Sequence, residues 1–183
     1  TSSAIGRMNL YIHDVDDAKI VRADTLRDPK FVDNLGKLRT FDVVIANPPF
    51  SLKQWGHENW ATDPHRRSEY GGVPPKSQGD YAWVQHMLAS ASPGGGRVGV
   101  VMPHGVLFRS GAEARIRQHL IESDLLEAVI GLPANLFYGA GIPACLLIFR
   151  KEKATGDKGK VRIVDGSKRF VAGRAQNSLS DQD

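Results

Sequence analysis

An α/β fold built on a doubly wound, mostly parallel sheet is what this sequence predicts, and three observations carry the prediction. Apolar, β-branched runs recur ("FDVVIA", "RVGVVMP", "ACLLIF") with little polar alternation, as strands buried on both faces require. Helical patterns stand between them, so strand and helix alternate along the chain. At 183 residues, 41% hydrophobic and 24% charged, the chain has the size and composition of one ordinary globular domain, and it holds no internal repeat or low-complexity tract.

The elements follow in order. "TSSAIGRMNLYIHD" places Ile5, Met8 and Ile12 on one helical face, with Ser2 or Ser3 as N-cap. "AKIVRAD" (Ala18–Asp24) alternates loosely and reads as a short strand, and "FVDNLGKLR" as a weak helix or turn. "FDVVIA" (Phe41–Ala46) is a continuous apolar run, expected to be buried on both faces. Residues 51–79 lack a steady period, which in a compact domain marks a functional or disordered loop. Asp80 is placed to cap a helix whose inward stripe is Trp83, Val84, Met87, Leu88 and Ala91. "PGGG" ends it, and "RVGVVMP" is the next strand. "SGAE" (Ser110–Glu113) fits a capping box opening a helix with Ile116, Leu120 and Ile121 inward. "LLEAVIGLP" reads as a strand, "NLFYGAGIP" as a loop, "ACLLIFRK" as a strand and "KVRIVDG" as a short, more polar strand.

Other features narrow the function classes. No run of about 18 apolar residues and no basic-apolar-small leader is present, so neither a membrane span nor a signal peptide is expected. The single cysteine, Cys145, sits in an apolar run and reads as a buried small hydrophobe; with no disulfide framework, a reducing, cytoplasmic setting is the default. The six histidines show no metal spacing, and Ser110 lies in no G-x-S-x-G elbow. Net charge is +4, but residues 1–149 balance, while residues 150–174 carry nine basic against three acidic side chains. That segment reads as a solvated basic extension or as a surface for nucleic acid.

The chemistry concentrates in "FDVVIANPPFSLKQWG" (Phe41–Gly56). A strand ends at Asn47, and the two prolines that follow hold a stiff corner, because each fixes its own φ and pushes the preceding residue from the α region. Neither proline donates through its nitrogen. The corner therefore presents acceptors, the Asn47 amide oxygen and the Pro48 carbonyl, and Phe50 adds a flat apolar face. Two acceptors and a ring suit a planar group with an exocyclic –NH2. Accepting both N–H bonds turns the nitrogen lone pair toward an electrophile such as the methyl of S-adenosylmethionine, which is catalysis by positioning and electrostatics. A simple Asn-Pro-Pro turn is the plainer reading of the same residues.

With its neighbours, the motif resembles motif IV of amino-group DNA methyltransferases, and more closely the modification subunit of type I restriction-modification systems. "RMNLYIHD", "IVRADTL", "SQGDYAWVQHML", "GRVGVVMPHGVLFR" and "NLFYGAGIPACLLIFRK" extend the likeness over most of residues 1–150. The resemblance implies a partial Rossmann-like class I methyltransferase fold. It also implies N6-adenine methylation of DNA with S-adenosylmethionine as donor, on a flipped nucleotide. Asn47 and Pro48 would hold the adenine amine, Pro49 would shape the corner and Phe50 would stack on the ring. Asp24 would accept from the amino group of the cofactor's adenine, and Leu26 would pack nearby; an Asx-turn ahead of Thr25 is the alternative for Asp24. Expected partners are DNA, a specificity subunit and a restriction subunit.

The family's glycine-rich cofactor loop and its ribose-holding acid belong to two strands ahead of residue 1. "PGGGRVGVV" follows a helix and enters a strand, the reverse of a cofactor-cradling loop, so Gly94–Gly96 reads as a connection. The expectation is a piece of a larger protein, truncated at its N-terminal side. Residues 1–150 would be the C-terminal part of a catalytic domain and residues 151–183 a basic extension with a short strand and tail, the whole inactive alone. The loop after the corner holds Lys53, Trp55, Trp60, His65, Arg66, Arg67, Tyr70 and Lys76, a mixture suited to phosphate and unstacked bases or, alternatively, to filling space over the next helix. Two other functions stay open: methylation of RNA or of a protein glutamine amide, and a binding or assembly module without catalysis.

Overall fold

The computed structural model describes residues 2–137 and 141–181. Its elements are α1 (Ser2–Ile12), β1 (Val43–Ala46), α2 (Asp80–Ala89), β2 (Arg97–Pro103), α3 (Ala112–Glu122), β3 (Leu126–Gly131), β4 (Ala144–Arg150) and β5 (Arg162–Asp165). The five strands form one open sheet in the order β1-β2-β4-β3-β5. The predicted α/β class holds, and the sheet is mixed. β1 lies parallel to β2 and β5 parallel to β3, whereas β4 runs antiparallel to both β2 and β3. The cause is the connection: among the described residues between β3 and β4 there is no crossover helix, and a parallel return needs such a crossover.

One face of the sheet carries the core. Val98, Val100 and Met102 of β2 and Cys145, Leu147 and Phe149 of β4 pack with Val84, Met87 and Leu88 of α2 and with Ile116 and Leu120 of α3. The intervening strand residues are half-buried, so α2 and α3 cover the same face. Cys145 is fully buried, as expected, and that burial pushes its thiol up to about 11. Seven of the ten residues of α2 are buried, including Tyr81, Ala82 and Gln85 beyond the predicted stripe, because the loop of residues 51–79 covers its other side. Ile121, expected inward on α3, is exposed.

Two expectations near the start are corrected, and a third element, the predicted α1, forms with its apolar face open. "AKIVRAD" forms no strand, since no neighbouring strand offers it a ladder. "FDVVIA" is not buried on both faces: β1 pairs only with β2, leaving Val43 64% and Ile45 78% exposed. On α1, the face bearing Ile5, Met8 and Ile12 is exposed and no residue of the helix is buried. The segment "FVDNLGKLR" is a turn closed by a Val32–Leu38 bridge, with Asp33 Oδ1 accepting from the amides of Leu35 and Lys37. The Gly94–Gly96 connection is as read: Gly95 takes φ 98°, and a Cβ at Gly96 would meet the Ser92 amide nitrogen at 2.5 Å. Part of the "NLFYGAGIP" loop, residues 138–140, lies outside the described residues. Among the described residues no helix is long and apolar enough to cross a membrane.

Candidate functional site

β1 ends at Ala46, in register with Val100, while the parallel β2 runs on to Pro103, so Asn47–Phe50 leaves the sheet at its carboxyl edge, where open α/β sheets place their ligands. Asn47 is exposed, Pro48 buried, Pro49 exposed and Phe50 half-buried. The Asn47 amide has no side-chain hydrogen bond among the described residues, which leaves its acceptor available. Ser51 follows in the left-handed region at φ 53°, a conformation a non-glycine residue adopts at some cost.

The turn is held from α2. Ser51 donates its amide to Asp80 Oδ1 at 2.7 Å, and Gly79 donates its amide to the Leu52 carbonyl at 2.9 Å. Asp80 is therefore not a side-chain cap of its own helix, since its carboxylate points back to the corner. Its second oxygen accepts from Arg109 Nη1 at 2.8 Å, and Arg109 also reaches Glu113 at 3.2 Å. The S-x-x-E box likewise does not form: Gly111 occupies the N-cap position with no side-chain cap bond, and Glu113 is buried against Arg109. Burial raises the Glu113 carboxyl and the Asp80 charge adds to the rise, against the opposing pull of Arg109. Phe108, on the turn leaving β2 at the same edge, is 74% exposed. Asp80, Arg109 and Glu113 escaped sequence reasoning as a group, because Asp80 and Glu113 each fit an ordinary helix-start signal; the available clue was Arg109, a cation ahead of a helix N-terminus that disfavours it.

Asp24 and Leu26 lie in a turn beside the loop of residues 51–79. The Asp24 carboxylate accepts from the Arg27 amide at 3.1 Å and from Arg27 Nη1 at 3.4 Å, while about half of its side chain remains open to solvent. A carboxylate has about four acceptor positions, so this one retains room for an amino donor such as that of an adenine. Leu26 is buried with Trp55, Trp60 and Ala82. Among the described residues no hydrogen bond joins this turn to Asn47–Phe50; the two are tied through the loop that begins at Ser51, whose Arg67 donates to the Thr25 and Leu26 carbonyls.

That loop divides. Trp55 and Trp60 are buried, one donating to the Pro75 carbonyl at 3.1 Å and the other to Gln85 Oε1 at 2.7 Å. Arg67, 2% exposed, donates to both oxygens of Asp63, to the Leu26 and Thr25 carbonyls and to His86 Nδ1, and lies over the Trp60 ring. Burial pushes the Asp63 carboxyl up, but the hydrogen bonds and charge of Arg67 bring it below the usual value. The two Trp residues and Arg67 thus fill space over α2. Lys53, Arg66 and Lys76 are exposed, Arg66 pairing with Glu69; His65 is half-buried, and half-buried Tyr70 meets Lys151. Among the described residues no group of three His, Cys, Asp or Glu side chains is placed to hold a metal.

The family model described as N-6 DNA Methylase matches residues 1–183. The chain belongs to the N-6 DNA methylase family. Among curated members, it is 38% identical over 173 residues to the type I restriction enzyme MjaVII methylase subunit of Methanocaldococcus jannaschii, covering 91% of this chain and 29% of that one. The HindI methylase subunit of Haemophilus influenzae is 34% identical over 167 residues, covering 90% and 35%. Among solved structures, the type I restriction-modification methyltransferase subunit of Streptococcus thermophilus superposes with a TM-score of 0.85 at 36% identity, covering 96% of this chain and 36% of that one. The chain spans about a third of the length of these N-6 DNA methylase relatives. A class I S-adenosylmethionine-dependent methyltransferase of Listeria monocytogenes, described as putative, is 20% identical with a TM-score of 0.54, covering 70% of this chain and 37% of that one, and shares the fold alone.

Proposed function

We propose that this chain belongs to the modification subunit of a type I restriction-modification system, which transfers a methyl group from S-adenosylmethionine to N6 of an adenine flipped from duplex DNA. The exposed Asn47 amide at the end of β1, ahead of a half-buried Phe50, is the observation that carries the reading. Asn47 Oδ1 and the Pro48 carbonyl accept from the adenine amine, Pro49 keeps the corner rigid and Phe50 stacks on the base. Asp24 accepts from the amino group of the cofactor's adenine, and Leu26 backs that contact. S-adenosylmethionine supplies an electrophilic methyl; this chain's part is to orient the amine and keep its lone pair free of conjugation. Residues 1–150 are the C-terminal part of the catalytic domain, and residues 151–183 a basic extension. Specificity and restriction subunits and DNA are the partners, in the cytoplasm.

The test is a labelled-methyl transfer assay on duplex DNA with the full-length gene product and its specificity subunit, the product digested to nucleosides. N6-methyladenine is expected, and Asn47→Ala should lower kcat by about 10² or more, the cost of removing one oriented polar group from a reacting centre. Cofactor binding with no methyl transferred to DNA would move the substrate to RNA or a protein amide.

A further inference from the structure

The corner is held by a buried charged clasp outside the motif itself, and we propose that Asp80, backed by Arg109 and Glu113, is a positioning group that sets the Asn47–Phe50 corner for methyl transfer. This rests on the reading of that corner as the holder of the substrate amine. Asp80 and Glu113 are each 1% exposed, and Arg109 spans them at 2.8 and 3.2 Å. Two buried carboxylates sharing one guanidinium is a costly arrangement for stability alone, since isolated helix starts are satisfied by an uncharged cap. What the arrangement achieves is local: one oxygen of Asp80 is committed to the amide of Ser51, the residue immediately after Phe50. Ser51 stands at φ 53°, where a side chain is disfavoured, and the bond from its amide keeps the chain in that turn.

The neighbouring residues fit the same purpose. Gly79 donates to Leu52, so two consecutive residues of the α2 start hold two consecutive residues past the corner. A Cβ at Gly79 would meet Trp55 at 2.7 Å, and one at Gly105 would collide with the Arg109 guanidinium. Arg117 donates to the Arg109 and Val106 carbonyls, fixing the turn that carries Arg109. The corner at the end of β1, the start of α2, the exit of β2 and the start of α3 are therefore joined at one edge of the sheet. Asp80 touches no substrate in this scheme; it acts through Ser51 on the direction of Phe50 and Asn47.

The experiment uses the full-length gene product with its specificity subunit. Asp80→Ala should lower kcat for methyl transfer by about 10²-fold, as misplacement of a reacting group by around an ångström does, while S-adenosylmethionine affinity measured by equilibrium titration stays within about twofold. Asp80→Asn, which keeps an acceptor for Ser51 and loses the charged pairing, should fall between. Ser51→Gly in the Asp80→Ala background should restore much of kcat, because glycine takes the left-handed turn unaided. Unchanged kcat in Asp80→Ala, loss of cofactor affinity in step with kcat, or no recovery with Ser51→Gly would each overturn the proposal. Hydrogen exchange of the peptide spanning residues 47–55 separates the two readings. It should quicken in Asp80→Ala whether or not the unaltered protein methylates DNA, and unchanged exchange there sinks the clasp by itself.

Discussion

Arg67 shows how one residue can serve structure where its type suggests function. In a loop rich in Trp and His it looks like a phosphate contact, yet it is enclosed by Asp63, two backbone carbonyls, His86 and the Trp60 ring. Removing one member of a buried ion pair leaves the other desolvated and unpaired, at about 3–5 kcal/mol. Arg67→Ala should therefore lower unfolding free energy by about that amount in a urea titration. Arg67→Lys should recover only part of it, because an ammonium cannot satisfy the forked set of acceptors. A loss below about 1 kcal/mol in Arg67→Ala, the range of exposed pairs, would contradict the burial of this pair. Gly79→Ala is a second case: its Cβ would meet Trp55 at 2.7 Å, so an overpacking cost of about 1–3 kcal/mol is expected in the same titration.

Among the elements, α2 carries a group whose charge change acts on stability as pH falls below neutral. His86 sits on it beside Arg67, and burial, then the Arg67 charge, lowers its pKa from 6.5 to about 4. The folded chain thus holds a neutral imidazole where the unfolded chain takes up a proton. Its stabilising contribution is complete above pH 6.5, declines as pH falls toward 4 and levels off below, with a size of a few kcal/mol at most. Thermal midpoints measured from pH 7.5 to 4.5 should fall for the parent chain and fall less for His86→Gln; equal slopes would remove His86 from the account. The same helix shows what could be read from the sequence. Its stripe of Trp83, Val84, Met87 and Leu88, with Ala91 just past its end, was legible because amphipathic period is a local signal, although Trp83 is only half-buried; β2, β3, β4 and β5 were legible too. The corner at Asn47 was legible because proline acts on its own neighbours. Asp80 and Glu113 were misplaced as caps because their true partners, Ser51 and Arg109, come from other elements or point the other way. The buried state of Trp55, Trp60 and Arg67 was equally hidden, since a mixed aromatic and cationic loop has the same composition whether it packs or binds. The direction of β4 could not be read from its own residues, as a strand's apolar pattern does not record whether its neighbour runs with it or against it.

At the scale of the molecule, the sheet has unequal edges. β4 is paired on both sides, whereas β1 offers one free edge and an outward row of Val43 and Ile45, with Phe41 exposed nearby. Ile5, Met8 and Ile12 on α1 add a further exposed apolar face. An unpaired edge strand with outward β-branched side chains is a ready template for another strand, and natural sheets usually blunt such edges with charge. The balanced charge of residues 1–149 supplies little repulsion against association there, while the basic excess of residues 150–174 lies in the segment that contains β5, at the opposite edge. The 183-residue chain on its own should therefore self-associate with rising concentration, and light scattering at a series of concentrations measures this directly. Ile45→Lys places a charge on the free strand without touching the face packed on α2 and should shift the chain toward monomer at unchanged circular dichroism. An equivalent charge at Ile163, 72% exposed on β5, should have the smaller effect, because the like charge of that segment already opposes pairing. If both substitutions act equally, or neither acts, the β1 edge is not the source of association.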